Sequence, residues 1–404
     1  MKILDEITPS EKERKIVEKI IKSVTEKIDI GDAKLELGGS YAKNTFLSGN
    51  HDIDIFVKFS YSKYKSKNIS DELSKRLKLK FKRIHGSRDY FQFQIKGYTF
   101  ELIPVFDIKN FSQAKNITDV SPLHKNWVKK HLKNSNDVRL IKKFCRAQNV
   151  YGAESYIKGF SGYVLEILTI YHGNFSNLIK NVSRWKLPVY VDFEKHYKSD
   201  KDAFEKINKS KRENDLIIVD PVQKDRNAAA AISREKIEKF IESCKNYLHN
   251  PSEEFFVEKK LNIKDLIAES GKDKLLIVRI KNLTGKNDVV GSKVLKVFDY
   301  LNNELKKNDF KVLKNGWYFN DESVLYYVVK DELLSKNIIH YGPPLKYKKY
   351  LEEFGKKYND YKKSKGRSYV EIERKIKNLK EFAKKLSKDS YIKINVKEIK
   401  FKIL

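Results

Sequence analysis

The sequence predicts a multidomain α+β protein: a head of mixed sheet and helices, a helical middle domain and a second α+β body. Three observations carry this. The strand-period runs "DIDIFVKF" and "YFQFQIKGYTFELIPVF" fall in the first third of the chain. Helical periodicity takes over after about residue 135, and from about residue 275 the pattern returns to strand, helix, strand, strand. A chain of 404 residues is long enough for several cores. The expected domains are residues 1–135, 136–255 and 256–404.

The head begins with "TPSEKERKIVEKIIKSVTEKI", where Thr8 is the expected cap, Pro9 suits the first turn and Glu11 completes a capping box. Ile16, Val17, Ile20, Ile21, Val24 and Ile28 give that helix one apolar face. "AKLEL" reads as a strand running into Gly38-Gly39. "DIDIFVKF" reads as a second strand, with Ile53, Ile55 and Val57 on one face and Asp52, Asp54 and Phe56 on the other. "ISDELSKRLKLK" is a short capped helix. A hairpin turning near Lys96-Gly97 puts Phe100, Leu102 and Pro104 on one side and Thr99, Glu101 and Ile103 on the other.

In the middle, "DVRLIKKFCRAQNV", "SGYVLEILTIYHG" and "NFSNLIKNVSRW" have helical spacing. A loose stretch over 187–215 precedes a strand, "DLIIVD", and a helix expected over "NAAAAISREKIEKFIESCKNYL". The body reads "KLLIVRIK" as a strand, "SKVLKVFDYLNNELKK" as a helix and "WYFNDESVLYYVV" as a hairpin, an order that suits a ferredoxin- or RNA-recognition-like sandwich. "IIHYGPPL" reads as a loop, and the end as a strand, a short helix and a last basic strand.

Composition bounds the partners. The formal charge of +30 favours polyanions, nucleic acid first. The two cysteines, Cys145 and Cys244, give neither a disulfide framework nor a cysteine-rich metal site. No apolar run reaches the length of a membrane span, and the expected location is cytoplasmic.

The chemistry concentrates in "GGSYAKNTFLSGNHDIDIF". Asp52 and Asp54, two apart on a strand, point the same way. Two buried carboxylates need a counter-charge, and hard oxygen ligands suit Mg²⁺, which keeps water and phosphate oxygens as its other ligands. Glu101 on the neighbouring arm is the candidate third acid of a two-metal site, with Asp107 as the fallback. Gly39 lets backbone N–H groups approach phosphate; Ser40 adds a hydroxyl and Lys43 a charge.

The pattern "GSYAKNTFLSGNHDIDIF", followed in order by "SPLHKNWV", "VRLIKKFCRAQNVYGAES", "GFSGYVLEIL" and "VDPVQKDRNAAAAIS", resembles the archaeal (class I) CCA-adding enzymes. These are tRNA nucleotidyltransferases of the DNA polymerase β-like superfamily. The resemblance implies a polymerase-β-like nucleotidyltransferase head that adds C, C and A to tRNA 3′ ends from CTP and ATP. It implies metals on Asp52, Asp54 and Glu101, where the family more usually has aspartate at the third position. It implies triphosphate contacts from Ser40, Lys43, Lys142 and Tyr151, with His124 beside the nucleotide and Arg226 facing the base; the expected partner is the tRNA acceptor stem and 3′ end, met by the basic middle and C-terminal domains. It also suggests a homodimer. The family's longer helical tail is shortened here. The alternative readings are another template-independent RNA nucleotidyltransferase, such as a poly(A) polymerase, an oligoadenylate-synthetase-like enzyme or a CC-only or A-only enzyme, and a non-catalytic tRNA-binding protein.

Overall fold

The structure is a computed structural model describing residues 2–49, 52–207, 215–259, 261–331 and 334–404. The chain divides into two compact units, residues 1–259 and 260–404.

The first unit opens with two helices, Lys2–Ile7 and Glu11–Thr25. The second is capped by Ser10, whose side chain accepts from the Glu13 N–H, and not by Thr8. Val17, Ile20 and Val24 are buried, while Ile16 is 44% exposed, so the apolar face is narrower than its isoleucines suggest.

Five strands then form one mixed sheet: β1 (Lys34–Leu37), β2 (Asp52–Ser60), β3 (Lys82–Ile84), β4 (Tyr90–Ile95) and β5 (Tyr98–Asp107), in the order β1-β2-β5-β4-β3. Only the β2–β5 pair is parallel. The β4–β5 turn lies at Lys96-Gly97, where both residues have positive φ, as a tight hairpin turn requires. Ile53, Ile55 and Val57 from β2 pack with Phe100 and Leu102 from β5 and with Val17, Ile20 and Val24. The core therefore covers one face of the sheet. The opposite face carries Asp52, Asp54, Phe56, Thr99, Glu101 and Ile103.

The helices Ser121–His131, Ser135–Ala147, Gly162–His172, Phe175–Val182 and Arg234–His249 follow. Their core is centred on Phe144, Phe160, Leu165, Ile179 and Phe240. The stretch read as loose contains a short helix, Asp200–Lys206, and a strand β6 (Val189–Val191) that pairs in parallel with β7 (Leu216–Ile218); residues 208–214 lie outside the described residues. The last helix starts at Arg234, capped by Ser233, and not at Asn227. Asn227 instead accepts from the Ile218 and Ala229 N–H groups and holds the alanine run against β7.

In the second unit β8 (Lys274–Lys281), β9 (Val312–Tyr318), β10 (Glu322–Val329) and a final strand Glu398–Ile403 form an antiparallel sheet. The final strand and β10 flank β8, and β9 lies outside β10. Val294, Val297, Leu301 and Leu305 from the helix Asn287–Lys307 pack on Leu276, Val278 and Ile280. "IIHYGPP" is a strand rather than a loop: Asn337–Pro344 pairs with Arg367–Glu373 in a three-stranded sheet beside the helix Lys348–Lys357. "SYIKIN" forms a further short helix, capped by Asp389, ahead of the last basic strand.

Asp119 is fully buried beneath the first unit's sheet. It pairs with Arg88 and accepts from the Phe106, Lys115 and Asn116 N–H groups at 2.8–3.1 Å. Removing one partner of such a pair leaves the other buried and uncompensated. Asp119→Ala is expected to lower the unfolding free energy by about 3–5 kcal/mol, read as a reduced urea midpoint.

Candidate active site

The parallel register places Asp54 directly opposite Glu101, with Asp52 opposite Thr99. All four side chains share the face away from the core, because paired residues in a sheet point the same way. Asp107 pairs with Ser60 at the far end of β2 and forms an ion pair with Lys58 at 2.8 Å, so it is remote from Asp52 and Asp54 along the strand.

Glu101 Oε1 accepts from Gln92 Nε2 at 3.0 Å; Gln92 faces it across the β4–β5 pair. Burial raises the Asp54 carboxyl pKa; the Lys43 charge opposes that and the nearby Asp52 reinforces it. Asp52 itself is exposed.

The turn before β2 is built around Asp54. The Gly38 N–H donates to the Asp54 backbone oxygen at 2.8 Å. Gly39 has φ +57, and a Cβ there would come within 1.6 Å of Asp54 Oδ2. Only glycine fits, on both conformational and steric grounds. The result is an open carboxyl against a backbone turn.

Asp52, Asp54 and Glu101 are hard oxygen donors, and the raised Asp54 pKa marks a carboxylate that gains from a nearby cation. Among the described residues, no three histidine, cysteine or acidic side chains gather closely enough to hold a metal by themselves. An ion that retains waters and takes phosphate oxygens needs only one or two carboxylates from the protein, and this donor set fits such an ion.

A cavity of about 330 Å³ opens beside this face. Gly39, Lys43 and Asp54 line it on the sheet side, and His124, Tyr163 and Arg226 line it on the helical side. It thus gathers five residues chosen from sequence: Gly39, Lys43, Asp54, His124 and Arg226. Asp52, Glu101, Ser40, Lys142 and Tyr151 are not among its lining residues.

Lys142 and Lys43 meet on a residue that the sequence reading did not single out. Glu166 is fully buried in the helix Gly162–His172. It takes Lys43 Nζ at 2.5 Å, Lys142 Nζ at 3.3 Å and the Thr45 hydroxyl at 2.7 Å. Lys142 Nζ also donates to the Thr45 carbonyl and hydroxyl oxygens at 3.1 and 3.0 Å. Burial pulls the Lys142 pKa down to about 8, although Glu166 works in the opposite direction. Burial likewise opposes ionisation of Glu166, yet the two lysines hold its pKa below the usual value. The sequence signal was there: a lone acid inside "SGYVLEILTIY" cannot be buried without partners.

Tyr151 lies under the Arg146 guanidinium, 5.0 Å from its ring centre. A Cβ at Gly162 would meet its hydroxyl at 3.3 Å and Lys142 Cε at 3.4 Å. Ser40 lies in the short helical turn Gly39–Ala42, and its carbonyl accepts from the Thr45 N–H. Arg139, also missed, is buried and clips the following loop by donating to the Phe46 carbonyl at 2.9 Å and the Asn44 carbonyl at 2.5 Å.

On the opposite wall, Arg226 is held by Asp220 at 2.5 Å. His124 stacks on Tyr163 with ring centres 4.3 Å apart. Tyr163 is part of the cavity wall.

Three family models match in chain order: the nucleotidyltransferase domain over residues 17–124, the second domain of tRNA nucleotidyltransferase over 136–257, and the C-terminal domain of the CCA-adding enzyme over 274–399. The CCA-adding enzyme of Nanoarchaeum equitans is 37% identical over 326 residues, 79% of each chain. The chain belongs to the CCA-adding enzymes. Members from Methanosarcina acetivorans and Saccharolobus islandicus are 30% and 31% identical, over 88% and 95% of this chain and 80% and 90% of theirs. The structure of a cytoplasmic RNA terminal U-transferase aligns with a TM-score of 0.51 at 14% identity, covering 65% of this chain and 97% of that one, a likeness of fold. Among the described residues of this CCA-adding enzyme, no helix is long and apolar enough to cross a membrane.

Glu166 joins the glycine turn, through Lys43, to two helices of the same CCA-adding enzyme, and its loss leaves two buried or half-buried ammonium groups without their anion. Glu166→Ala is expected to reduce the unfolding free energy by about 3–5 kcal/mol in denaturant titration. The more conservative Glu166→Gln should recover part of that loss.

Proposed function

We propose that this cavity adds C, C and A to the 3′ end of tRNA from CTP and ATP, without a nucleic-acid template, releasing pyrophosphate. The observation that carries the reading is the meeting in one cavity of the Asp54 carboxyl, the Gly39 turn with Lys43, and the His124–Arg226 wall, in a chain of this family.

Asp52, Asp54 and Glu101 would hold paired Mg²⁺ ions. When bound, these supply charge stabilisation to an in-line displacement at phosphorus. The protein's own groups do the rest. The Gly39–Ser40 turn and Lys43 receive the triphosphate, with Lys142 and Tyr151 behind them, and His124 lies beside the nucleotide. The oxygen of the RNA 3′-hydroxyl forms a bond to the α-phosphorus as the bond to the pyrophosphate oxygen breaks. The Glu101 carboxylate takes the hydroxyl proton. Its extra methylene, relative to aspartate, is steadied by the hydrogen bond from Gln92. Arg226 offers the base edge donors in a fixed planar fork.

Residues 1–135 serve as the catalytic head and 136–255 as the nucleotide- and tRNA-binding middle. Residues 256–404 serve as a ferredoxin- or RNA-recognition-like body whose basic surface meets the acceptor stem by shape and phosphate contact. The protein acts in the cytoplasm and pairs as a homodimer.

Transcripts of tRNA ending at the discriminator base, at C or at CC, given each nucleotide singly with Mg²⁺, test the reading. CTP should be incorporated on the first two and ATP on the third. Long A or U tails would point to a polymerase of another specificity, and tight tRNA binding without incorporation to a scaffold. Asp54→Asn is expected to cut transfer by roughly a thousandfold or more while leaving tRNA binding intact in a filter assay.

A second outcome follows from Lys142. Its folded pKa of about 8 lies below the usual lysine value of 10.5, so in the free protein its charge fades as pH rises through about 8. A bound triphosphate favours the charged form and moves that loss upward. The ATP affinity ratio of wild type to Lys142→Met should therefore be largest near pH 7 and shrink towards pH 9, measured by calorimetric titration.

A further inference from the structure

Asp220 follows β7 by two residues and enters the cavity wall from behind. It is fully buried and makes five contacts. Oδ1 accepts from the Val222 N–H at 2.9 Å, the Gln223 N–H at 3.3 Å and the Tyr163 hydroxyl at 3.2 Å. Oδ2 accepts from Arg226 Nη1 at 2.5 Å and lies 2.9 Å from His124 Nε2, a close contact that misses hydrogen-bond alignment. The backbone closes around it as well. The Asp220 N–H donates to the Arg226 carbonyl at 3.0 Å, and the Arg226 N–H to the Gln223 carbonyl at 3.0 Å.

Three of those contacts are to side chains that line the cavity: His124, Tyr163 and Arg226. Asp220 is not a lining residue itself, so its effect on a bound nucleotide passes through them. Oδ1 is anchored to its own turn and to Tyr163, and Oδ2 sets where the Arg226 guanidinium stands. Burial opposes the charge on Asp220, but His124, Arg226 and the Val222 N–H keep its pKa well below the ordinary carboxylate value. The anion thus persists at neutral pH, and a guanidinium paired to a buried anion keeps one orientation.

We propose that Asp220 is the positioning residue for nucleotide selection: it fixes Arg226, with His124 and the Tyr163 ring, at the orientation from which the cavity reads the base edge of the incoming nucleotide. Arg226 has a side chain 29% exposed and many rotamers. Untethered, its donors would meet several base edges comparably well, and discrimination would fall while the phosphate and carboxylate side of the cavity stayed in place. The inference rests on the nucleotidyl-transfer reading given above.

The test measures kcat/KM for CTP and UTP on tRNA ending at the discriminator base, and for ATP and GTP on tRNA ending in CC. It compares wild type, Asp220→Asn, Arg226→Ala, the double variant and Tyr163→Phe. Asp220→Asn is expected to lower the CTP-over-UTP and ATP-over-GTP ratios about tenfold to a hundredfold, the range for one misplaced buried hydrogen-bonding group. The affinity for tRNA should not change. The double variant should discriminate no worse than Arg226→Ala alone, because Asp220 acts through the arginine. Tyr163→Phe, which removes one donor and keeps the ring, should give a smaller shift in the same direction and serves if Asp220→Asn does not fold. A uniform loss for all four nucleotides, or additive effects in the double variant, would overturn the proposal. If wild type itself adds no C or A, it is the nucleotidyl-transfer reading that fails.

Discussion

A single buried carboxylate, Glu166, holds together parts of the site that are far apart in sequence. Lys43 follows the glycine turn of the head, Lys142 lies in the helix Ser135–Ala147, and Thr45 sits in the loop between the turn and β2. An acid in an otherwise apolar helix is costly to desolvate, and two ammonium groups and a hydroxyl offset that cost. The arrangement is also selective. Without the helix Gly162–His172, the lysines would repel one another, and the turn would lose its attachment to the helices. The two lysines are thus the ties that join the turn to the helices.

The second constraint is the sheet register. Side chains alternate along a strand, so a slip of one residue between β2 and β5 would bury Asp52 and Asp54 and expose Ile53 and Ile55. The buried row Ile53, Ile55 and Val57 prevents that slip. The apolar residues therefore decide where the acids stand, although they touch no substrate. Gly39 adds a steric check from the other side, since its missing side chain is the space occupied by the Asp54 carboxyl. Acid, glycine and isoleucine form one local device, which explains why so short a segment carries so much of the site.

Much of this was legible in the residues. Period-two alternation gave β2 and β5, and Lys96-Gly97 gave the hairpin that puts Glu101 on the same face as Asp54. What escaped was decided by contacts between distant segments. The four alanines after Asn227 have strong helix propensity, but the Asn227 side chain binds the Ile218 and Ala229 N–H groups and delays the helix to Arg234. "SYIKIN" has strand-like composition, yet Asp389 caps it as a helix and is itself bound by the Tyr300 hydroxyl at 2.9 Å. Thr8 and Ser10 are both capping residue types; the cap expected at Thr8 falls instead on Ser10, whose side chain accepts from the Glu13 N–H. Glu166 and Arg139 share one property: each is a charged residue with a partner 123 or 93 positions away, respectively, where periodicity has no reach.

The strand Glu398–Ile403 pairs with Lys274–Lys281, the first strand of the second unit, rather than with a sequence neighbour. During synthesis, the edge of Lys274–Lys281 that this strand covers stays bare while more than a hundred further residues are made. A helix and a hairpin can form early around it, but closure must wait until residue 403 has left the ribosome. An unpaired strand edge rich in leucine, isoleucine and valine invites pairing with another chain during that interval. The lysines at positions 397, 400 and 402, against the single acid Glu398, leave the segment completing the sheet with a net positive charge, which discourages copies of it from stacking on one another before the native partner is found.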